Sequence, residues 1–158
     1  MQLVHYATAA GQLTVLQWLA AQPGVSLTAA ADDDRQPLHY AAAFGRTAVV
    51  QWLVQQPGIS LDAATRGNHF TPLFAAIAHG HLGTAQCLSA QPGVSLTAAN
   101  ANGSQLVHVA GGHGQLTALQ WLASCPGVRA MTAAGSHCTV LQLRGIWRWC
   151  SGSRTSRA

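Results

Sequence analysis

Eight histidines and four cysteines in a chain of 158 residues would suffice for a metal centre if they fell at ligand spacing. His79 and His81 are two positions apart, His108 and His113 five, and His137 adjoins Cys138, yet no set supplies the paired ligands of a tetrahedral zinc site. Cys87, Cys125, Cys138 and Cys150 stand 38, 13 and 12 residues apart with no Cys-x-x-Cys pair, which predicts reduced thiols and not a disulfide framework. Acid–base catalysis needs a titratable pair with a supporting group, and the carboxylates are few: Asp32, Asp33 and Asp34 run consecutively and Asp62 stands alone. Gly111-Gly112-His113-Gly114 lacks the Lys of a phosphate-binding loop and closes a helical pattern, where such a loop would follow a strand. The residue chemistry therefore predicts a protein that is not an enzyme and that uses no cofactor and no metal.

What does recur is a scaffold. Pro23-Gly24-Val25, Pro57-Gly58-Ile59, Pro92-Gly93-Val94 and Pro126-Gly127-Val128 return at intervals of 34, 35 and 34 residues, a period that belongs to stacked repeats. Each unit opens on a Leu/Pro-Leu/Val-His step: Leu3-Val4-His5, Pro37-Leu38-His39, Pro72-Leu73-Phe74 and Leu106-Val107-His108. An Ala-rich run follows, closed by Gly11, Gly45, Gly80 or Gly114, where a left-handed C-terminal cap wants no side chain. A second apolar run, such as Val49-Val50-Gln51-Trp52-Leu53, is apolar at i, i+1, i+3 and i+4 and leaves Gln to water, which predicts a helix ended by the Pro-Gly. Trp18, Trp52 and Trp121 share one repeat position, with Cys87 in the same slot, and are expected to pack in the core. Helices this short are marginal alone, so stacking must hold them.

These residues resemble the ankyrin repeat, whose signature runs Thr-Pro-Leu-His-x-Ala; Thr71-Pro72-Leu73, Pro37-Leu38-His39-Tyr40-Ala41-Ala42 and Gly80-His81 carry the likeness best. The resemblance implies an all-α repeat solenoid of helix-turn-helix units with β-hairpin or turn fingers. The units are expected at about 2–35, 36–70, 71–104 and 105–138, with an abortive fifth from 139, making a repeat domain of 1–143 and a basic irregular tail of 144–158. Thr71 is expected to cap a helix with its hydroxyl and Pro72 to take its first position. His5, His39 and His108 would bond neighbouring backbone, a role Phe74 cannot fill. The polar segments Ala31–Gln36, Arg66–Phe70 and Asn100–Ser104 would form the fingers, and the one residue by which the second unit exceeds its neighbours would fall in the second of these connections, since both helices are otherwise in register.

The likeness further implies a non-catalytic protein–protein interaction module, cytoplasmic or nuclear, with another protein as partner and no small-molecule substrate. Its binding residues would lie on the concave surface of the first helices (Tyr6, Tyr40, Phe44, His79, His113) and on the fingers (Asp32, Asp33, Asp34, Arg35, Arg66, Asn68, His69, Phe70, Asn100, Asn102). Composition bounds the alternatives. Among residues 1–143, Arg35, Arg46, Arg66 and Arg129 balance the four Asp exactly as 4 minus 4, so the net +4 rests on Arg144, Arg148, Arg154 and Arg157 and marks no basic groove across the repeats. The alternatives are a segment of a longer array without independent activity, or weak binding of a nucleic acid or membrane surface through that Arg- and Trp-bearing tail. No apolar run is long enough for a membrane span, and the N-terminus lacks the pattern of a signal peptide.

Overall fold

The computed structural model describes residues 2–125 and Val128, and the described residues form eight α-helices and no β-strand. These are α1 (Leu3–Ala10), α2 (Leu13–Ala20), α3 (Pro37–Ala43), α4 (Thr47–Leu53), α5 (Pro72–Ala78), α6 (Leu82–Ser89), α7 (Leu106–Gly112) and α8 (Leu116–Ser124). Within each unit the two helices pack together, while α1, α3, α5 and α7 stack successively and α4 packs on α6. The expected fifth unit and tail lie outside the described residues.

Small residues let the first helices approach. Ala41, Ala42, Ala76 and Ala110 are fully buried between units, and Leu16, Leu53, Leu88 and Leu122 bring the second helices onto the same core. Gln17, Gln51, Gln86 and Gln120, the polar interruptions of the second apolar run, are exposed as their spacing predicts.

The histidine of the opening step ties three segments together. Its Nδ1 accepts the backbone N–H of the residue before the helix, at 3.1 Å for His5 from Gln2, 3.2 Å for His39 from Gln36 and 2.9 Å for His108 from Gln105. That leaves the proton on Nε2, which donates to the Ala29 carbonyl at 3.0 Å from His5 and to the Phe70 carbonyl at 3.0 Å from His39. In the third unit Phe74 fills the slot, fully buried, with its ring 5.5 Å from that of Phe70. Pro72 begins α5 as expected, but the Thr71 hydroxyl makes no capping bond; only its backbone carbonyl takes part, accepting from the Ala75 N–H.

Each closing glycine has φ between 65° and 77°, and three of them have a second reason to lack a side chain. The residue after the glycine in the next unit lies over it: Arg46 over Gly11, His81 over Gly45 and Gln115 over Gly80. Arg46 Nε donates to the Ala9 carbonyl at 2.8 Å, and Gln115 Nε2 to that of Ala78 at 3.4 Å.

The fingers are turns, joined to regular pairing only by an isolated bridge between Ala99 and Gln105. The Ala31 N–H donates to Arg35 O, and the Asn100 N–H to Ser104 O, each spanning four residues; the Thr65 N–H donates to Phe70 O, spanning five. The second turn therefore holds the one additional residue. Asp34, His69 and Gly103 take the left-handed position of the three turns, at φ 60°, 49° and 72°.

The tryptophans meet the expectation of core packing only in part. Trp18 is 63% exposed, and Trp52 and Trp121, like Cys87, are half-buried against the core. Their slot lies on the flank of the second helix, where cover comes from a neighbouring unit and not from the unit's own core.

Candidate protein-binding surface

The first helices present fewer side chains than their repeat positions suggest. Ala43, Ala75, Ala78 and Val109 are buried by the adjoining units, and so is Tyr40, at 7% exposure. Tyr40 is thus not an open docking aromatic. Its hydroxyl donates to the Asp33 carboxylate at 2.9 and 3.0 Å, and its ring stands edge-on to His5 at 5.4 Å. Burial, then the hydrogen bond from a hydroxyl to an anion, push its pKa to about 12.

The exposed line runs through the residue before each closing glycine: Ala10, Phe44, His79 and His113. Phe44 is 52% exposed, and Tyr6 on α1 is 61% exposed. His113 turns Nδ1 onto the Val109 carbonyl at 3.0 Å. Partial desolvation lowers the His79 pKa, with help from the charges of His81, Arg35 and His113, so its ring is neutral at pH 7. The line is therefore rich in rings and holds no carboxylate or guanidinium group.

The fingers add mixed charge beside it. Asp32, Asp33, Arg35, Arg66, Asn68, His69 and Asn102 are exposed, while Asp34, Phe70 and Asn100 are half-buried. Desolvation would raise the Asp33 carboxyl, but the Tyr40 hydroxyl, the Arg35 N–H and the Arg35 guanidinium outweigh it and hold the pKa below the ordinary value. Arg35 lies 3.6 Å from Asp33, and Arg66 lies 3.5 Å from Asp34, across the first and second fingers. Exposed pairs of this kind contribute about 0–1 kcal/mol, so they set the charge pattern more than the stability.

Two of the expected site residues have structural duties. Phe70 closes the second turn through its N–H on the Thr65 hydroxyl and packs on Phe74, and Asn100 Oδ1 accepts the N–H groups of Asn102 and Ser104 at 3.0 and 2.9 Å. The Ala101 N–H donates to the Asn68 carbonyl at 3.1 Å, linking the second and third fingers. Between the first two fingers an open cleft is lined by Asp32, Asp33, Asp34 and Arg35 on one side and by Asn68 and Phe70 on the other.

The residues that reach over the closing glycines were not anticipated. A signal existed: the position after the glycine is Gln12, Arg46, His81 and Gln115, always long and polar beside a residue without a side chain. Among the described residues no three His, Cys, Asp or Glu side chains come together as metal ligands. Burial raises the Cys87 and Cys125 thiols, which disfavours the nucleophilic thiolate. No helix among the described residues is long and apolar enough to cross a membrane.

Paired short helices stacked in register, joined by turn fingers and tied by a histidine in the opening step, define a helical repeat protein of the class built to present a surface. The family model for ankyrin repeats in many copies matches residues 4–54 and 38–89, more than half of the sequence, and the chain belongs to the ankyrin repeat family. No curated protein matches it. Ankyrin repeats are generally non-catalytic modules of protein–protein interaction.

Proposed function

We propose that this ankyrin repeat chain binds a protein partner through the exposed line of the first helices and the adjoining finger tips. The observation that carries this reading is the line itself. Phe44, His79 and His113 stand exposed in successive units, while the small residues beside them, Ala43 and Ala78, are sealed into the stack. A half-exposed Phe suits insertion into an apolar pocket of a partner, and Tyr6 extends the same aromatic character to the first unit. The first two fingers contribute Asp32, Asp34, Arg35, Arg66, Asn68 and His69, and the third contributes Asn102. Both signs of charge are present, so their role is to orient and select a partner more than to supply bulk attraction.

Affinity capture with paired surface variants tests the assignment. Phe44→Ala and Tyr6→Ala remove exposed rings, and a central aromatic anchor of an interface costs about 2 kcal/mol or more on truncation. Each should deplete a partner recovered with the wild-type chain, whereas Gln17→Ala and Gln51→Ala on the second helices should retain it. Equal loss from both sets would rule out the first-helix line.

A further inference from the structure

The residue before a closing glycine is joined to its counterpart in the next unit by the side chain that reaches over that glycine. The His81 ring lies over Gly45, directly beside Phe44, and Gln115 lies over Gly80, directly beside His79. His81 is two positions from His79, and Gln115 two from His113. Phe44, His81, His79 and His113 therefore follow one another along one edge of the stack, with His79 and His113 exposed and His81 half-buried.

The charge around this run has one sign. From residue 63 onward the sequence contains no Asp and no Glu, so the third and fourth units hold no side-chain carboxylate. Desolvation disfavours the His79 cation first, and then the charges of His81 at the start of α6, Arg35 of the first finger and His113 at the end of α7. Arg35 is already engaged, 3.6 Å from Asp33.

The hydrogen bonds decide what a proton does here. A carbonyl can only accept, so His113 Nδ1 donates to Val109 O at 3.0 Å, and Nε2 is the acceptor of the neutral ring. A second proton enters at Nε2 and breaks no internal bond, whereas at His39 it would displace the Gln36 N–H from Nδ1. Protonation thus turns the exposed His113 ring from an acceptor into a charged donor, at no cost to the fold.

We propose that the run from Phe44 to His113 takes a carboxylate-bearing peptide segment of the partner, its acidic side chains lying on His79 and His113, and that acidification strengthens the contact. The inference rests on the first-helix docking line of the preceding subsection and names the chemistry of its occupant. Each imidazolium gains a counter-ion that the third and fourth units do not supply, and the repulsion among His79, His81 and His113 is relieved. A nucleic acid would call for a row of permanent cations. Arg35 and Arg66 are instead paired with Asp33 and Asp34, and Arg46 Nε is held on the Ala9 carbonyl.

Fluorescence anisotropy tests this with a labelled oligo-glutamate peptide of about ten residues, titrated with the full chain at about pH 7.5 and about pH 5.5 at constant ionic strength. Two histidines, each raised by about half a pKa unit in the complex, make binding about tenfold tighter at the lower pH. His79→Gln with His113→Gln should abolish that gain while circular dichroism shows the chain folded at both pH values, since neither side chain is buried. A gain that survives in the double variant, or no gain in the wild-type chain, would overturn the proposal. So would a single-stranded oligonucleotide of similar length whose binding shows the same gain and the same loss, because the site would then read anionic charge and not a peptide carboxylate. Partner capture lost on Phe44→Ala beside an oligo-glutamate that shows no pH response would strike the acidic occupant and leave the docking line standing.

Discussion

The imidazole of His39 joins the start of its own helix to the finger that follows, and its protonation state decides whether both bonds survive. Burial, chiefly, holds its pKa below 6.5, because the cation would lose its hydration. Protonation at Nδ1 would also turn an N–H toward the Gln36 N–H that this nitrogen now accepts. The folded chain therefore binds this proton less readily than the unfolded chain. Its contribution to stability is constant above the unfolded pKa, declines as pH falls through it, and levels off below the folded pKa. Urea unfolding between about pH 7 and pH 5 should show midpoints falling with acidification, and His39→Gln should flatten that slope while costing about 1–3 kcal/mol at neutral pH from the disrupted bonds. His69 makes the opposite case, of a residue poorly matched to its backbone. At φ 49° it occupies a left-handed position that Gly103 takes freely in the third finger. With its side chain exposed, His69→Gly should raise stability by about 1 kcal/mol, read as a higher urea midpoint with unchanged slope.

At the scale of the element, the helix ends carry the junctions between units. Gly45 and Gly58 both have positive φ, 65° and 81°, but a Cβ at Gly45 would stand 2.5 Å from His81 Nδ1, whereas one at Gly58 would meet nothing within 4 Å. Both Gly→Ala variants bear the backbone strain of about 1–2 kcal/mol, and only Gly45→Ala adds an overpacking cost of about 1–3 kcal/mol at the junction. Denaturant titration should therefore rank Gly45→Ala as the more damaging. Equal midpoints would mean that His81 gives way without cost. Helix starts, helix ends, the left-handed caps and the longer second turn were all legible in the spacing of Pro, His and Gly, because local backbone geometry limits which residues can stand there. The cover over each helix was not legible. Tyr6 and Tyr40 are the same residue in the same slot, one open and one buried, and among the described residues only Tyr40 has another unit stacked before its own. The same holds for Trp18 and Trp52, so burial in a stack belongs to the junction and cannot be read from one unit's pattern. The tie from Tyr40 to Asp33 was hidden for a related reason: it joins a helix to the preceding finger through a turn whose shape no periodicity specifies.

For the molecule as a whole, the stack places unlike side chains at the same position of successive units. A buried alanine and the closing glycine repeat in every unit and the opening histidine in three of the four, while the residue just before that glycine changes from Ala10 to Phe44, His79 and His113. Variation at the exposed position above a repeated frame is what a selective protein-binding surface requires, and the mixed charges of the fingers border it. The most direct measurement is photocrosslinking with a benzophenone amino acid placed singly at positions 44, 68, 17 and 51 of the full chain. The account predicts that positions 44 and 68, on the first-helix line and the second finger, crosslink to one and the same protein, while positions 17 and 51 on the second helices do not. Crosslinks to that protein of equal yield from positions 17 and 51 would contradict it.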